Sequence, residues 1–113
     1  MKKEDIIRKQ LSLGILRINL IGNSMLPTFQ PGDSVYVTAI RDEVKVNDIV
    51  LFYDKEVMIL HRVLQVVGDY VITQGDHNTY LDRPVKIKKL LGIVCEQNGE
   101  TRVIQKVCEQ EKK

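Results

Sequence analysis

Short apolar runs separated by turn residues occupy the chain from Gly14 onward, and they limit what it can fold into. The runs are rich in Val, Ile, Leu and Tyr, residues typical of strands, and they are shorter than an ordinary helix. Connections of hairpin length separate some of them, for example residues 54–56 and 68–69. We therefore predict a mostly β, single-domain antiparallel fold, a meander or a partly barrel-like sheet.

The period of the apolar residues locates the predicted elements. Residues 3–12 have apolar side chains at the spacing of one short amphipathic N-terminal helix. Alternating and β-branched residues after it predict strands, and an Asn-Gly pair at 98–99 predicts a final hairpin. The predicted strands are 15–20, 34–40, 48–53, 57–66, 70–73, 85–96 and 100–107.

Length and charge narrow the class of protein. The chain has 113 residues, 43% of them hydrophobic, which fits one domain spanning 1–113 with one core. The 17 lysine and arginine residues against 15 aspartate and glutamate residues leave a formal charge of only +2. So small an excess gives no reason to expect a nucleic-acid partner.

The apolar runs are also too short for a membrane span, which needs roughly 20 residues. Charged residues interrupt the N-terminal segment, so we expect neither a secretion signal nor a membrane anchor. Two cysteines, Cys95 and Cys108, are too few for a disulfide framework, and we expect reduced thiols. A cytoplasmic protein is therefore expected. The alternative is a peripheral position at the membrane, where the basic residues of the N-terminal helix allow but do not require contact.

Three segments contain residue types suited to nucleophilic catalysis. Ser24 lies in a turn rich in glycine and proline, His61 lies on a predicted strand, and one loop contains both Asp76 and Asp82. A serine hydroxyl needs an adjacent base and a third group that orients the base. On residue type alone, a turn serine bonded to its own backbone, a core histidine and two loop-capping aspartates are the better explanation of the pattern.

The sequence strings around these residues are more specific. Residues 22–28 read GNSMLPT and residues 31–35 read PGDSV, which together resemble the nucleophile motif of type I signal peptidases and LexA-like self-cleaving proteins. Residues 46–52, VNDIVLF, are similar to a family strand that has glycine in place of Asn47. The HRV string at 61–63 resembles the endoplasmic-reticulum and archaeal subtype, in which histidine replaces a lysine base. The GDHN string at 75–78 resembles that subtype's GDNN. The core motifs cover 15–94.

This resemblance implies a serine endopeptidase that cleaves a leader or signal segment from a peptide or preprotein bound as an extended strand. It implies that Ser24 is the nucleophile, that its backbone N–H binds the oxyanion, and that His61 is the general base. Asp82 is the better candidate to orient His61 and Asp76 supports the site, although the two roles are interchangeable on this evidence. No metal or other cofactor is implied. The remaining motif positions are structural residues near the site: Met25, Pro27, Gly32 and Asp33.

Two positions depart from the family pattern. Gly22 occupies a position where membrane signal peptidases usually have a serine that helps to hold the oxyanion. His77 replaces an asparagine, and a second imidazole near the site is a bystander, a rival base or a metal ligand.

Other functions remain open at this point. One alternative is a non-catalytic peptide-binding module with the same fold, and another is a membrane signal peptidase anchored through a partner. A LexA-type regulator is disfavoured, because only about 14 residues precede the first predicted strand and a helix-turn-helix domain needs more.

Overall fold

The computed structural model describes residues 2–97. The described elements are an N-terminal helix, seven strands and a short 3₁₀ turn, Ile87–Lys89, before the last strand. In chain order they are α1 (Lys3–Leu13), β1 (Leu16–Asn19), β2 (Ser34–Thr38), β3 (Ile49–Asp54), β4 (Val57–Val67), β5 (Tyr70–Gln74), β6 (Val85–Lys86) and β7 (Gly92–Gln97).

The seven strands form one sheet in the order β1-β2-β7-β3-β4-β5-β6, and every neighbouring pair is antiparallel. The predicted mostly β, antiparallel fold with a short N-terminal helix is therefore confirmed. Within the described residues β1 and β6 are the two edges, so the sheet is not a closed barrel. A simple meander was the wrong topology, because β7 lies between β2 and β3. The segment that joins β2 to β3 is longer than a tight hairpin, which leaves room for this insertion.

The prediction of one long strand over 85–96 was also wrong. Its first residues pair with β5 at the edge of the sheet, whereas its last residues pair with β2 and β3 in the middle. The 3₁₀ turn Ile87–Lys89 carries the chain between these places. Leu90 and Leu91, which follow the turn, are buried in different apolar clusters. The apolar pattern of residues 85–96 therefore gives no sign of the change in chain direction within it. The hairpin predicted at 98–107 lies outside the described residues.

Apolar side chains pack on both faces of the sheet. Along β3, Ile49 and Leu51 belong to one cluster, and Val50 and Phe52 to the other, as the alternation of a strand requires. The first cluster also receives Leu11 from α1 and two residues of the β1–β2 loop, Met25 and Phe29. The loop that contains Ser24 is thus anchored in the core.

The structure contradicts the expectation of a reduced Cys95. This residue is buried on β7 and is disulfide-bonded, while Cys108, the other cysteine, lies outside the described residues. The number of cysteines alone does not tell whether two of them approach each other, so composition could not predict the bond. Because disulfides persist mainly in oxidising compartments, the bond is at odds with the expected cytoplasmic location.

Over residues 2–97, no helix is both long enough and apolar enough to cross a membrane.

Candidate active site

The loop between β1 and β2 holds Ser24 in a fixed position. At its ends, the Leu20 N–H donates to the Asp33 carbonyl at 2.8 Å, and the Gly32 N–H donates to the Leu20 carbonyl at 2.7 Å. Gly32 has φ 95°, in the left-handed region that favours glycine, and the Asp33 carboxylate accepts the Gln30 N–H at 2.8 Å. These contacts explain why the motif has glycine and aspartate here.

His61 reaches the loop from β4. Its side chain is buried, and its Nε2 lies 3.2 Å from the Ser24 hydroxyl. The backbone N–H of Ser24 donates to no acceptor among the described residues, so this N–H is open to a ligand. The structure therefore brings the predicted nucleophile and base into hydrogen-bond contact.

Asp82, rather than Asp76, meets the other nitrogen of the imidazole. His61 Nδ1 lies 2.5 Å from Asp82 Oδ2, and the Thr73 hydroxyl donates to the same oxygen at 2.7 Å. The Asp82 N–H also donates to the Thr73 carbonyl at 2.9 Å. A carboxylate at Nδ1 favours the tautomer that has its proton there, which leaves Nε2 as an acceptor for the serine hydroxyl. This tautomer is assigned from the hydrogen-bond network.

Asp76 forms a separate cluster with Arg62, the residue after His61 on β4. The guanidinium is bidentate: Nε donates to Oδ1 at 2.9 Å and Nη2 donates to Oδ2 at 2.8 Å. The Thr28 hydroxyl, from the same loop as Ser24, donates to Oδ2 at 2.5 Å. This cluster therefore ties the serine loop to the loop after β5.

The charges of this cluster stabilise each other. Burial raises the pKa of Asp76, but hydrogen bonds from Arg62 and Thr28 and the guanidinium charge outweigh it, so the pKa lies below its ordinary value. The hydrogen bond to Asp76 raises the pKa of Arg62, against the opposing effect of burial. Both groups are therefore held in their charged forms.

The loop after β5 also contacts the Ser24 loop through its backbone. The His77 N–H donates to the Ser24 carbonyl at 2.8 Å, and the Asp76 N–H approaches Met25 Sδ at 3.4 Å. At Gly75 a Cβ would lie 2.7 Å from the Ser24 carbonyl oxygen and 3.0 Å from His61 Nε2. Only glycine permits this close approach.

The side chain of His77 is exposed, and its contribution to the site is its backbone N–H. Pro27 is exposed in the serine loop and forms a cis peptide bond with Leu26. Across residues 2–97, no cluster of three or more histidine, cysteine or acidic side chains has the arrangement of a metal site.

An apolar groove opens beside Ser24 and His61, with a cavity of about 350 Å³. One wall comes from the end of β1 and the residues after it, 18–22, and the other from the start of β4, 57–61. The floor includes Leu51 and Met25. The Ser24 and His61 side chains therefore belong to the lining of a groove that is otherwise formed mainly by aliphatic groups.

Comparisons with known proteins agree with this arrangement of motifs. No family model matches the chain. The signal peptidase complex catalytic subunit of Lachancea thermotolerans is 33% identical over 78 residues, and that of Zygosaccharomyces rouxii is 32% identical over 77 residues. Each match covers 62% of this chain and 46% of the relative, so the chain spans about half the length of these curated relatives. The resemblance to the signal peptidase superfamily is confirmed.

Three residues of this signal-peptidase-like site were not predicted as members of it. Arg62 and Thr28 stand inside the recognised strings, so their place in the motif was an available signal. Thr73 has no such signal, since it precedes the GDHN string and resembles any strand threonine. Its contact with Asp82 follows from the pairing of β4 with β5.

Proposed function

We propose that the protein is a serine endopeptidase of the signal peptidase type, which cleaves a leader or signal segment from a peptide or preprotein. One observation carries the proposal: a continuous hydrogen-bonded chain runs from the Ser24 hydroxyl through both nitrogens of His61 to Asp82. Serine, histidine and aspartate in this order are a nucleophile, a base and the group that orients the base. The proposed catalytic domain is 1–113.

In the proposed reaction, Nε2 of neutral His61 takes the hydroxyl proton of Ser24 while Oγ bonds to the carbonyl carbon of the scissile peptide. The Ser24 N–H donates to the resulting oxyanion. His61 then gives its proton to the leaving amine, the C–N bond breaks, and an acyl ester remains on Ser24. Water hydrolyses this ester with His61 again as the base. Asp82 stabilises the imidazolium that forms in each half of the reaction.

The substrate is proposed to bind as an extended strand in the apolar groove. β1 is an edge strand of the described sheet, so one side of its backbone is unpaired. Residues 57–60 of β4 pair with β3, whereas β5 pairs only with later residues of β4. Both exposed edges line the same groove beside Ser24, which supports strand addition as the binding mode. The aliphatic walls favour apolar substrate side chains on both sides of the backbone.

A non-catalytic peptide-binding module is the alternative function. Such a module requires the groove, but peptide binding does not require a serine hydroxyl 3.2 Å from a buried imidazole. The buried His61 also lies against the half-buried carboxylate of Asp82, and simple peptide binding gives no reason for this pair. The hydrogen-bonded chain therefore favours an enzyme.

The partners follow from the same proposal. The curated relatives are named as catalytic subunits of a signal peptidase complex, and we extend to this chain only a peptide or preprotein substrate. Because Cys95 is disulfide-bonded, an oxidising compartment is favoured over the cytoplasm, and a peripheral position at a membrane stays the alternative location.

Intact-mass analysis of precursor peptides tests the proposal. Each peptide is incubated with wild type, with Ser24→Ala and with Ser12→Ala, in which an exposed serine of α1 that does not line the groove is changed in the same way. We expect a single cut by wild type and by Ser12→Ala, and none by Ser24→Ala. Cleavage by Ser24→Ala would exclude Ser24 as the nucleophile, and peptide binding without cleavage by any of the three would favour the non-catalytic module.

A further inference from the structure

Thr73 is a polar residue with no exposed surface, on the strand next to the one that holds His61. A buried hydroxyl needs a hydrogen-bond partner, and this one donates to Asp82 Oδ2 at 2.7 Å. The backbone makes a second tie, because the Asp82 N–H donates to the Thr73 carbonyl at 2.9 Å. Thr73 therefore holds both the main chain and the side chain of Asp82.

The oxygen that Thr73 holds is the one that meets the imidazole. Asp82 Oδ2 accepts the Thr73 hydroxyl and also lies 2.5 Å from His61 Nδ1. The final torsion of an aspartate side chain is broad, so a backbone tie alone does not select which carboxylate oxygen faces a neighbour. The Thr73 hydroxyl supplies that selection, because it donates to the oxygen that faces His61.

We propose that Thr73 is a positioning residue for the reaction, which acts through Asp82 to keep His61 Nε2 directed at Ser24. This inference rests on the proposed function. Thr73 is not among the residues that line the groove and its hydroxyl donates to Asp82, whereas Asp76 has its own donors in Arg62 and Thr28. The effect of Thr73 is therefore confined to the Asp82–His61 side of the site.

The experiment compares Thr73→Val, which removes the hydroxyl and nearly preserves the shape, with Thr73→Ser, which keeps the hydroxyl. Thr38→Val is the matched control, since Thr38 is a buried strand threonine whose hydroxyl accepts from Arg41 instead. Two quantities are measured: kcat and KM on a cleaved peptide, and the proton NMR resonance of His61 Nδ1–H in the folded protein without substrate. That resonance is assigned by its loss in His61→Ala.

For Thr73→Val we expect kcat to fall about tenfold or more while KM changes less than about twofold, because a hydrogen bond to a charged group is lost and the groove is untouched. The His61 Nδ1–H resonance should shift or broaden. Thr73→Ser should restore both, and Thr38→Val should leave both as in wild type.

Two results would overturn the inference. One is a Thr73→Val protein with the kcat and the resonance of wild type. The other is an equal loss of kcat in the valine and serine variants with the resonance unchanged, which would indicate packing. If the valine variant does not fold, Thr73→Ala makes the same comparison. The resonance is measured without substrate, so it tests the link from Thr73 to His61 even if the wild-type protein cleaves no peptide. Absence of cleavage by the wild-type protein would count against the proposed function and not against this link.

Discussion

Asp76 and Asp82 belong to the same loop between β5 and β6, and they serve two different clusters. Asp82 faces the imidazole of His61, and Asp76 faces the guanidinium of Arg62, although these two partners are consecutive residues of β4. One cluster contains the hydroxyl proposed to react, and the other ties the loop of that hydroxyl to the rest of the protein. The partner of a carboxylate, more than its place in a motif, therefore sets its role.

The largest effect is expected from removing the charge at Asp82. Asp82→Asn should lower kcat by about 10³–10⁴, because an amide at this position favours the wrong tautomer and does not stabilise an imidazolium. Asp69→Asn, on an exposed turn, is the control and should retain activity. The measurement is single-turnover cleavage of a precursor peptide. A loss smaller for Asp82→Asn than for Asp76→Asn would reverse the two roles.

An intermediate effect is expected where the loop after β5 crosses the serine loop. Gly75→Ala places a methyl group 2.7 Å from the Ser24 carbonyl oxygen, and backbone cannot yield there cheaply. We expect kcat to fall about 10²-fold, since displacing a reacting group by about 1 Å has an effect of this size. Peptide cleavage and circular dichroism together distinguish displacement from unfolding. A fully active Gly75→Ala protein would show that the two loops can separate without loss of catalysis.

The smallest effect on catalysis is expected at Asp76. Asp76→Asn breaks a bidentate ion pair and leaves Arg62 poorly paired, so the free energy of unfolding should fall by about 1–3 kcal/mol. Activity should fall less than about tenfold. Glu56→Gln removes the partner of Lys3 in an exposed ion pair and should leave stability unchanged. Urea denaturation provides the test, and an Asp76→Asn protein as stable as wild type would contradict it.

The stability difference at Asp76 also has a defined pH dependence. Because the pKa of Asp76 is lowered in the folded state, its ionised form stabilises the fold above the ordinary aspartate pKa of about 3.9. That contribution is lost as the pH falls through the lower, folded-state pKa. The urea midpoints of wild type and Asp76→Asn should therefore be well separated at pH 7 and should converge below about pH 4. A constant separation over this range would mean that the charge of Asp76 is not what stabilises the loop.

Local sequence predicted those parts of the molecule that depend on short strings. The helix and the hairpin partners β3 and β4 follow from periodicity and short connections, and the contact of His61 with Ser24 was expected from two family strings. Asn47, which stands where the family has glycine, has φ 82°, a conformation that asparagine tolerates better than most residues. The substitution therefore preserves the local backbone.

Features that depend on pairing between distant segments were not predictable in the same way. The place of β7 between β2 and β3 is decided by how its side chains pack into both clusters, which the apolar pattern of 85–96 does not encode. The assignment of Asp82 to His61 depends on the register of β5 against β4 and on the path of the loop after it. Thr73 was missed for the same reason.

In the proposed strand-addition mode, the groove between β1 and β4 also limits which substrates can bind. A peptide that fills it completes hydrogen bonds along two open strand edges, so its own backbone groups must be unpaired when it enters. In a helix or a sheet the backbone groups of a segment are already hydrogen-bonded, so such a segment must unfold locally before it can bind. The proposed peptidase would therefore select its substrates first by conformational state, and segments that are already folded would not be cleaved.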